Sequence, residues 1–335
     1  MTGVWQLDTP GPPDERGPLR WVERPLPEPG PGELRLRIGA CAVCRTDLQI
    51  ASGDLALRRS PIVLGHQPVG RVEAIGPGVH GWEVGQRAGA TWLAGADGTC
   101  AFCRAGRENL CPQATFHGWD RDGGFADEML VRADVAVPIP DTYDDVHAAP
   151  LLCGGVIGYR ALRLSGIEPG GRLGLYGFGA SATLAIQVAR AWGCEVAVVS
   201  RSERDLQRAR DLGAGWVGRP GQRPPWPLEA AVTFAPAGSV VVEALAALAP
   251  AGTVVVNAIH LDGIPAFDYG LLWEERVIRS VANVTRRDAR EFLELAGRER
   301  FTTEVQPLPL AMANEALRRL AAGEVSGAAV LVASG

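Results

Sequence analysis

"RLGLYGFGASATLAIQVARAWGCEVAVVS", residues 172–200, decides the fold. RLGLY (172–176) reads as a buried strand, and a glycine-rich turn follows it directly. "ASATLAIQVARAWG" (180–193) then carries apolar residues at helical spacing and ends on Gly193, and "EVAVVS" (195–200) is a second strand. Strand, glycine-rich turn, helix, strand is the βαβ unit of a parallel sheet. Within the turn, G-x-G-x-x-A falls on Gly177, Gly179 and Ala182. Gly177 permits the tight turn, Gly179 lets backbone N–H groups approach a pyrophosphate, and Ala182 lets the helix pack closely on the strand. An ordinary βα turn is the alternative. The strand before, the helix after and the second strand favour a dinucleotide site.

The end of the second strand bears on which dinucleotide. A site for NAD usually carries an acid there, bound to the ribose 2′-hydroxyl. Here Ser200 takes that place and Arg201 follows. A 2′-phosphate is repelled by an acid and attracted by a guanidinium, so these residues expect NADP(H) in preference to NAD(H). The alternative is an Arg201 that is simply solvated at a helix start. "SERDLQRARDLG" reads as that helix, with Ser202 as N-cap, Asp205 in the capping-box place and Gly213 past its end. Outward from there, "EAAVTFA", a helix over "SVVVEALAALAP", and strands in "GTVVVNA" and "RVIRSVAN" extend the pattern to Asn283. The expectation is an α/β protein with a doubly wound parallel sheet. "RPGQRPPWP" (219–227) reads as a surface loop. After Asn283 come the helix "RRDAREFLELAG", a short strand, the helix "MANEALRRLAAG" and the strand "AAVLVA".

Toward the N-terminus the character changes near residue 155. The first half is rich in Gly and Pro, with short apolar runs such as "ELRLRI" and "PVGRVEAIG". Frequent turns between short strands predict a β-rich, barrel-like domain. The length of 335 residues suits two domains. A net charge of −5 gives no reason to expect a nucleic acid or an anionic membrane as partner. All 33 basic residues are arginine, which excludes lysine Schiff-base or general-base chemistry. The chain shows neither a signal peptide nor a long apolar run, so no membrane span and a cytoplasmic location are expected.

Seven cysteines stand at 41, 44, 100, 103, 111, 153 and 194. Without an export signal, clustered cysteines read as metal ligands rather than disulfides. "DGTCAFCRAGRENLC" holds Asp97, Cys100, Cys103 and Cys111 as D-x2-C-x2-C-x7-C. Structural zinc takes four tetrahedral ligands and accepts carboxylate oxygen, which makes Asp97 the natural fourth. Three reduced cysteines in an ordinary loop are the alternative. Cys44, His66 and Cys153 make a donor set of the kind that catalytic zinc uses, with one position left open. Spacing alone does not connect three residues so far apart.

"CAVCRTDL", "GHQPVG", "CAFCRAGRENLC", "DGGFADEMLV", "LLCGGVIGYRAL" and "GFGASATLAIQVARAWG" occur in an order that resembles the zinc-dependent alcohol dehydrogenases of the medium-chain dehydrogenase/reductase superfamily, over essentially the whole chain. The resemblance implies a GroES-like catalytic domain over 1–155 and 284–335. It implies an inserted Rossmann domain over 156–283, a cleft between the two, and a homodimer or homotetramer. It implies two zinc ions per chain: a catalytic one on Cys44, His66 and Cys153, and a structural one on Asp97, Cys100, Cys103 and Cys111, where the family usually has cysteine at the first position. It gives Thr46 the substrate oxygen and its proton, Asp47 the orientation of His66, and Arg45 the cofactor pyrophosphate. Cys41 and Cys194 match no ligand position. Two residues depart from the family: Gln67, where Glu commonly follows the zinc histidine, and Gln49, where a histidine often ends the proton relay. Gln67 offers the metal an oxygen without charge, and Gln49 cannot act as a base. The implied activity is interconversion of an alcohol and an aldehyde or ketone by hydride transfer with NADP(H). Trp92, Leu93 and Trp119 lie in segments able to line an apolar substrate cleft; tryptophans that are simply core or surface residues are the alternative. A zinc-free quinone or enone reductase of the same superfamily and a non-catalytic nucleotide-binding protein of this fold are the alternatives.

Overall fold

The computed structural model describes residues 1–259 and 261–333. It divides into two compact units: residues 1–153 with 283–335, and residues 154–282.

The second unit is built on a six-stranded sheet, parallel throughout. In spatial order its strands are Trp216–Gly218, Glu195–Val199, Arg172–Tyr176, Leu228–Thr233, Leu248–Val256 and Val277–Ser280. Numbered by chain position the order is 3-2-1-4-5-6, the doubly wound Rossmann arrangement. The strand order reverses between Arg172–Tyr176 and Leu228–Thr233, and ligands of such sheets bind at that reversal, beyond the carboxyl ends of the strands. The opening motif lies there. Leu173, Leu175 and Tyr176 are buried, as are Val196, Val198 and Val199 in the neighbouring strand.

The helix expected over 239–250 is shorter. It spans Gly238–Leu245, and Leu248–Val256 is strand. Pro250 has no N–H to continue a helix. Leu248 pairs with Leu228 instead, with a register shift before Ala230 that leaves Ala251 at φ 62°. The capping box expected at Ser202 and Asp205 does not close. Ser202 Oγ accepts from the Asp205 N–H, but the Asp205 carboxylate takes the Ser200 hydroxyl at 3.0 Å, and the Ser202 N–H donates to Ser200 Oγ. Boxes do form in the first unit, at Thr285 and Asp288, opening the helix Arg286–Glu299, and at Cys44 and Asp47, opening Arg45–Ser52.

The first unit is β-rich. Its seven-stranded sheet centres on Glu33–Ala42, which pairs antiparallel with Pro68–Ile75, Glu128–Arg132 and Ala328–Val332. Strands Thr2–Leu7, Leu19–Arg24 and Ile62–Val63 form a smaller sheet. Leu34, Leu36 and Ile38 alternate with half-buried or exposed arginines along the central strand, so one face packs into a core with Val72, Phe125, Met129 and Leu331. Among the described residues no helix is long and apolar enough to cross a membrane.

Candidate active site and metal centres

The central strand Glu33–Ala42 delivers Cys44 to the start of the helix Arg45–Ser52. Cys44 is the helix N-cap: its Sγ accepts from the Thr46 N–H at 3.5 Å, while the Asp47 carboxylate takes the Cys44 N–H at 2.9 Å. Sulfur stands where Ser or Asp usually caps a helix. His66 sits in the turn between Ile62–Val63 and Pro68–Ile75, 1% exposed. Gly65, at φ +93°, shapes that turn, and a Cβ there would meet Phe125 Cδ1 at 2.4 Å. Cys153 ends the short helix Ala149–Leu152.

These three segments converge. One donor atom each from Cys44, His66 and Cys153 lie within 4.8 Å of one another. His66 Nδ1 faces Asp47 Oδ1 at 3.1 Å, which leaves Nε2 toward the sulfurs. Asp47 Oδ1 also accepts the Gly65 N–H at 3.1 Å, so one fully buried carboxylate fixes the histidine, the turn that carries it and the cap that carries Cys44. A hydrogen bond from Cys153 holds the Cys44 thiol well below its usual range against the effect of burial. The same hydrogen bond and burial push Cys153 well above it. Burial opposes a charge on His66, but the Asp47 carboxylate and then the Cys44 sulfur outweigh it and raise the imidazole to about 10, so a metal that takes Nε2 displaces its proton. Two soft sulfurs and an imidazole with a fixed tautomer suit zinc, with a fourth position open.

Thr46 is buried, its Oγ1 3.8 Å from Cys44 Sγ. Gln49, one turn along the helix, has its Oε1 buried without a hydrogen-bond partner. Gln67 is 4% exposed, and its Nε2 donates to the Ala42 carbonyl at 3.3 Å, so its amide also braces the end of the central strand. Arg45 is exposed at the helix start.

An aromatic surface adjoins the histidine. The Trp92 ring lies 5.9 Å from that of His66, centroid to centroid, and 5.8 Å from Trp119 in a stacked pair. Phe116 contacts both tryptophans. Leu93 is fully buried. The sequence reading missed Phe116 and His117. Phe116 pairs with Leu93 across two short strands, a register that no local pattern reveals. His117 is buried with Nδ1 on the Thr91 carbonyl, and burial lowers it to about 4.

The second group is local. Donor atoms of Asp97, Cys100, Cys103 and Cys111 lie within 4.8 Å of one another. Asp97 Oδ1 accepts from the Thr99 and Cys100 N–H groups at 2.7 and 2.9 Å, and these bonds hold its carboxyl well below the usual range. The Cys103 N–H donates to Cys100 Sγ and lowers that thiol, whereas burial of the sulfur pushes Cys103 up to about 12. Three sulfurs and a carboxylate oxygen supply the four donors that a structural zinc takes. Cys41 and Cys194 are buried outside both groups.

In the second unit, Gly177 has φ +87°, and a Cβ there would lie 2.8 Å from the Ala235 nitrogen. Gly179 is the N-cap of the helix Ala180–Ala191, and a Cβ there would project into open space. Ala182 is fully buried. Ser200 is buried, and Arg201 beside it is exposed. Arg219, in the loop just past the strand Trp216–Gly218, donates to the Arg201 carbonyl and pairs with Glu203 at 3.0 Å.

Residues 30–141 match the family model "Alcohol dehydrogenase GroES-like domain", and residues 180–298 match "Zinc-binding dehydrogenase". The chain is 45% identical to the "Probable alcohol dehydrogenase AdhA" of Mycobacterium tuberculosis, covering 98% of this chain and 96% of that one. An "Alcohol dehydrogenase" of Geobacillus stearothermophilus is 35% identical, over 94% of this chain and 96% of its own. Among solved structures, that of AibC superposes with a TM-score of 0.91 at 28% identity, covering 100% of this chain and 96% of that one.

Proposed function

Because the chain belongs to the zinc-type alcohol dehydrogenases of the medium-chain dehydrogenase/reductase superfamily, we propose that it interconverts an alcohol with an aldehyde or ketone, with zinc on Cys44, His66 and Cys153 and NADP(H) as hydride carrier. The observation that carries this reading is the convergence of those three donors around a histidine already oriented by Asp47. When bound, zinc polarises the substrate oxygen and lowers the alcohol's pKa, and the nicotinamide takes or gives the hydride. Asp47 holds the imidazole in one tautomer. Thr46 keeps its hydroxyl beside Cys44 and passes the substrate proton. Gln49 offers its unpartnered oxygen as an acceptor only and takes no proton. Trp92 and Trp119 exclude water on one side of the substrate. A second zinc on Asp97, Cys100, Cys103 and Cys111 braces the loop that carries them.

Gly177, Gly179 and Ala182 seat the pyrophosphate. Arg201 favours the 2′-phosphate of NADP(H), and Arg219 adds charge from the next strand end. Asp205 is the opposing charge, and the Ser200 hydroxyl engages it. The edge strand Val277–Ser280 has no outer neighbour among the described residues, and Ile264, Tyr269, Trp273 and Val277 are exposed around it. That surface fits a second copy of the chain, in a homodimer or a tetramer of such dimers. Seven free cysteines suit the reducing cytoplasm.

The test is metal analysis of the purified protein together with NADPH and NADH oxidation against a panel of aldehydes and ketones. Two zinc ions per chain and faster turnover with NADPH are expected. Arg201→Ala weakens NADPH by about tenfold, the scale of one charge-assisted contact, and leaves NADH unchanged. Equal losses for both cofactors refute the NADP(H) preference, and absence of zinc with retained reductase activity refutes the metal reading.

A further inference from the structure

The aromatic surface beside His66 is fastened from outside. The Arg58 guanidinium lies over the Trp119 ring, 3.6 Å from its centroid, and 5.7 Å from that of Phe116. Arg58 Nη1 is 3.4 Å from Asp120 Oδ2, and that same oxygen accepts the Phe116 N–H at 2.9 Å. Trp119 Nε1 donates to the Ala56 carbonyl at 2.8 Å, so the segment that carries Arg58 grips Trp119 at its edge as well as its face. The Trp92 N–H is buried without a partner, which leaves the ring carbons as what Trp92 offers a neighbour. The chain of contacts runs His66, Trp92, Trp119, Arg58.

We propose that Arg58 is a positioning residue for substrate selection: it holds Trp119 against Trp92 as a flat aromatic surface beside His66, and that surface favours planar, unsaturated or aromatic alcohols over saturated ones of equal bulk. The proposal rests on the alcohol dehydrogenase reading for the identity of the substrate group. Two stacked indoles present polarisable π faces, which reward a planar partner lying flat or edge-on. A saturated ring of the same size gains only burial, which needs no fixed plane. A guanidinium suits the clamp because it is planar and weakly hydrated; an ammonium is neither.

Benzyl alcohol and cyclohexylmethanol separate planarity from bulk. Their binding to the zinc-loaded protein is read by quenching of tryptophan fluorescence, and their turnover with NADP+ by KM and kcat. Near-UV circular dichroism reports the tryptophan pair directly. In Arg58→Ala the dissociation constant and KM for benzyl alcohol are expected to rise roughly 2- to 5-fold, the worth of an exposed cation–π contact. Both constants for cyclohexylmethanol, kcat for both alcohols and zinc content stay unchanged, and the near-UV signal weakens. Arg58→Lys restores the charge without the plane and recovers only part of the preference. Equal shifts for the two alcohols, a loss in kcat instead of KM, or an unaltered near-UV spectrum overturns the proposal. A wild-type protein that turns over no alcohol defeats the dehydrogenase reading, while the binding and dichroism measurements still decide the role of Arg58.

Discussion

Cys44, His66 and Cys153 come from three segments that only the folded sheet brings together, whereas Asp97, Cys100, Cys103 and Cys111 lie within one short stretch of chain. The first group stands at the end of the central strand, with a fully buried carboxylate behind its histidine. The second stands on a loop in which Asp97 is exposed and the only α-helix is the four-residue Ala101–Arg104. Both groups offer sulfur to a metal, but the direction of support is reversed. The core pre-organises the first site, so a metal there is free to do chemistry. The second has little core of its own, so a metal there organises the loop.

Cys44→Ser tests the first half of that contrast and has the largest expected effect. It removes one zinc per chain and lowers turnover by roughly a thousandfold or more, the scale of losing a preorganised electrostatic stabiliser. The circular dichroism spectrum and melting temperature change little, because the strand and helix around Cys44 are held by core packing. Unchanged zinc and turnover would falsify the assignment of the site. Cys103→Ser tests the second half. It also removes one zinc, but the consequence is a lower melting temperature and faster proteolysis within 97–111, while the rate per folded molecule is largely kept. If Cys103→Ser left stability untouched and abolished turnover instead, the contrast between the sites would be inverted.

Asp47→Asn sharpens the contrast from within. The amide keeps one oxygen, but it cannot serve the His66 Nδ1–H, the Gly65 N–H and the Cys44 N–H together. Zinc affinity or activity is expected to fall about 10- to 100-fold, as for other residues that orient a metal-bound histidine. Titration with a competing chelator measures the affinity. A melting temperature that drops while zinc affinity holds would make Asp47 a structural cap only.

What could be read in the sequence follows the same division between local and long-range. The strand Arg172–Tyr176, the helix Ala180–Ala191 and the strand Glu195–Val199 match the quoted motif almost residue for residue, because turn chemistry and periodicity act over a few residues. The Asp97–Cys111 group was visible as spacing for the same reason. Cys44, His66 and Cys153 were joined only through the family resemblance, since no local rule links residues that meet across a sheet. The capping box at Ser202 failed because Ser200, the residue at issue for the cofactor, competes for the Asp205 carboxylate. The aromatic surface was half legible: two tryptophans stood out, while Phe116 and Arg58 depend on strand register and on a loop that folds over Trp119.

Gln49→His is the smallest change and touches neither group of donors. Gln49 follows Thr46 by one helical turn, on the same face of Arg45–Ser52. Its buried, unpartnered oxygen can accept a hydrogen bond but cannot carry a proton away. A histidine at this point titrates near neutrality. Oxidation of an alcohol releases a proton, so the substitution assists that direction only where the imidazole is neutral. The gain therefore appears as pH rises through about 6 to 7 and levels off above. It should reach no more than about tenfold, below the roughly 100-fold of direct general-base assistance, because the histidine acts one hydroxyl removed from the substrate. Aldehyde reduction at low pH gains less, since solvent already supplies the proton. Zinc content and melting temperature stay where they are, which distinguishes this change from every substitution in the two donor groups. Superimposable pH–rate profiles for the variant and the parent protein would show that the proton leaves by a route that does not pass residue 49.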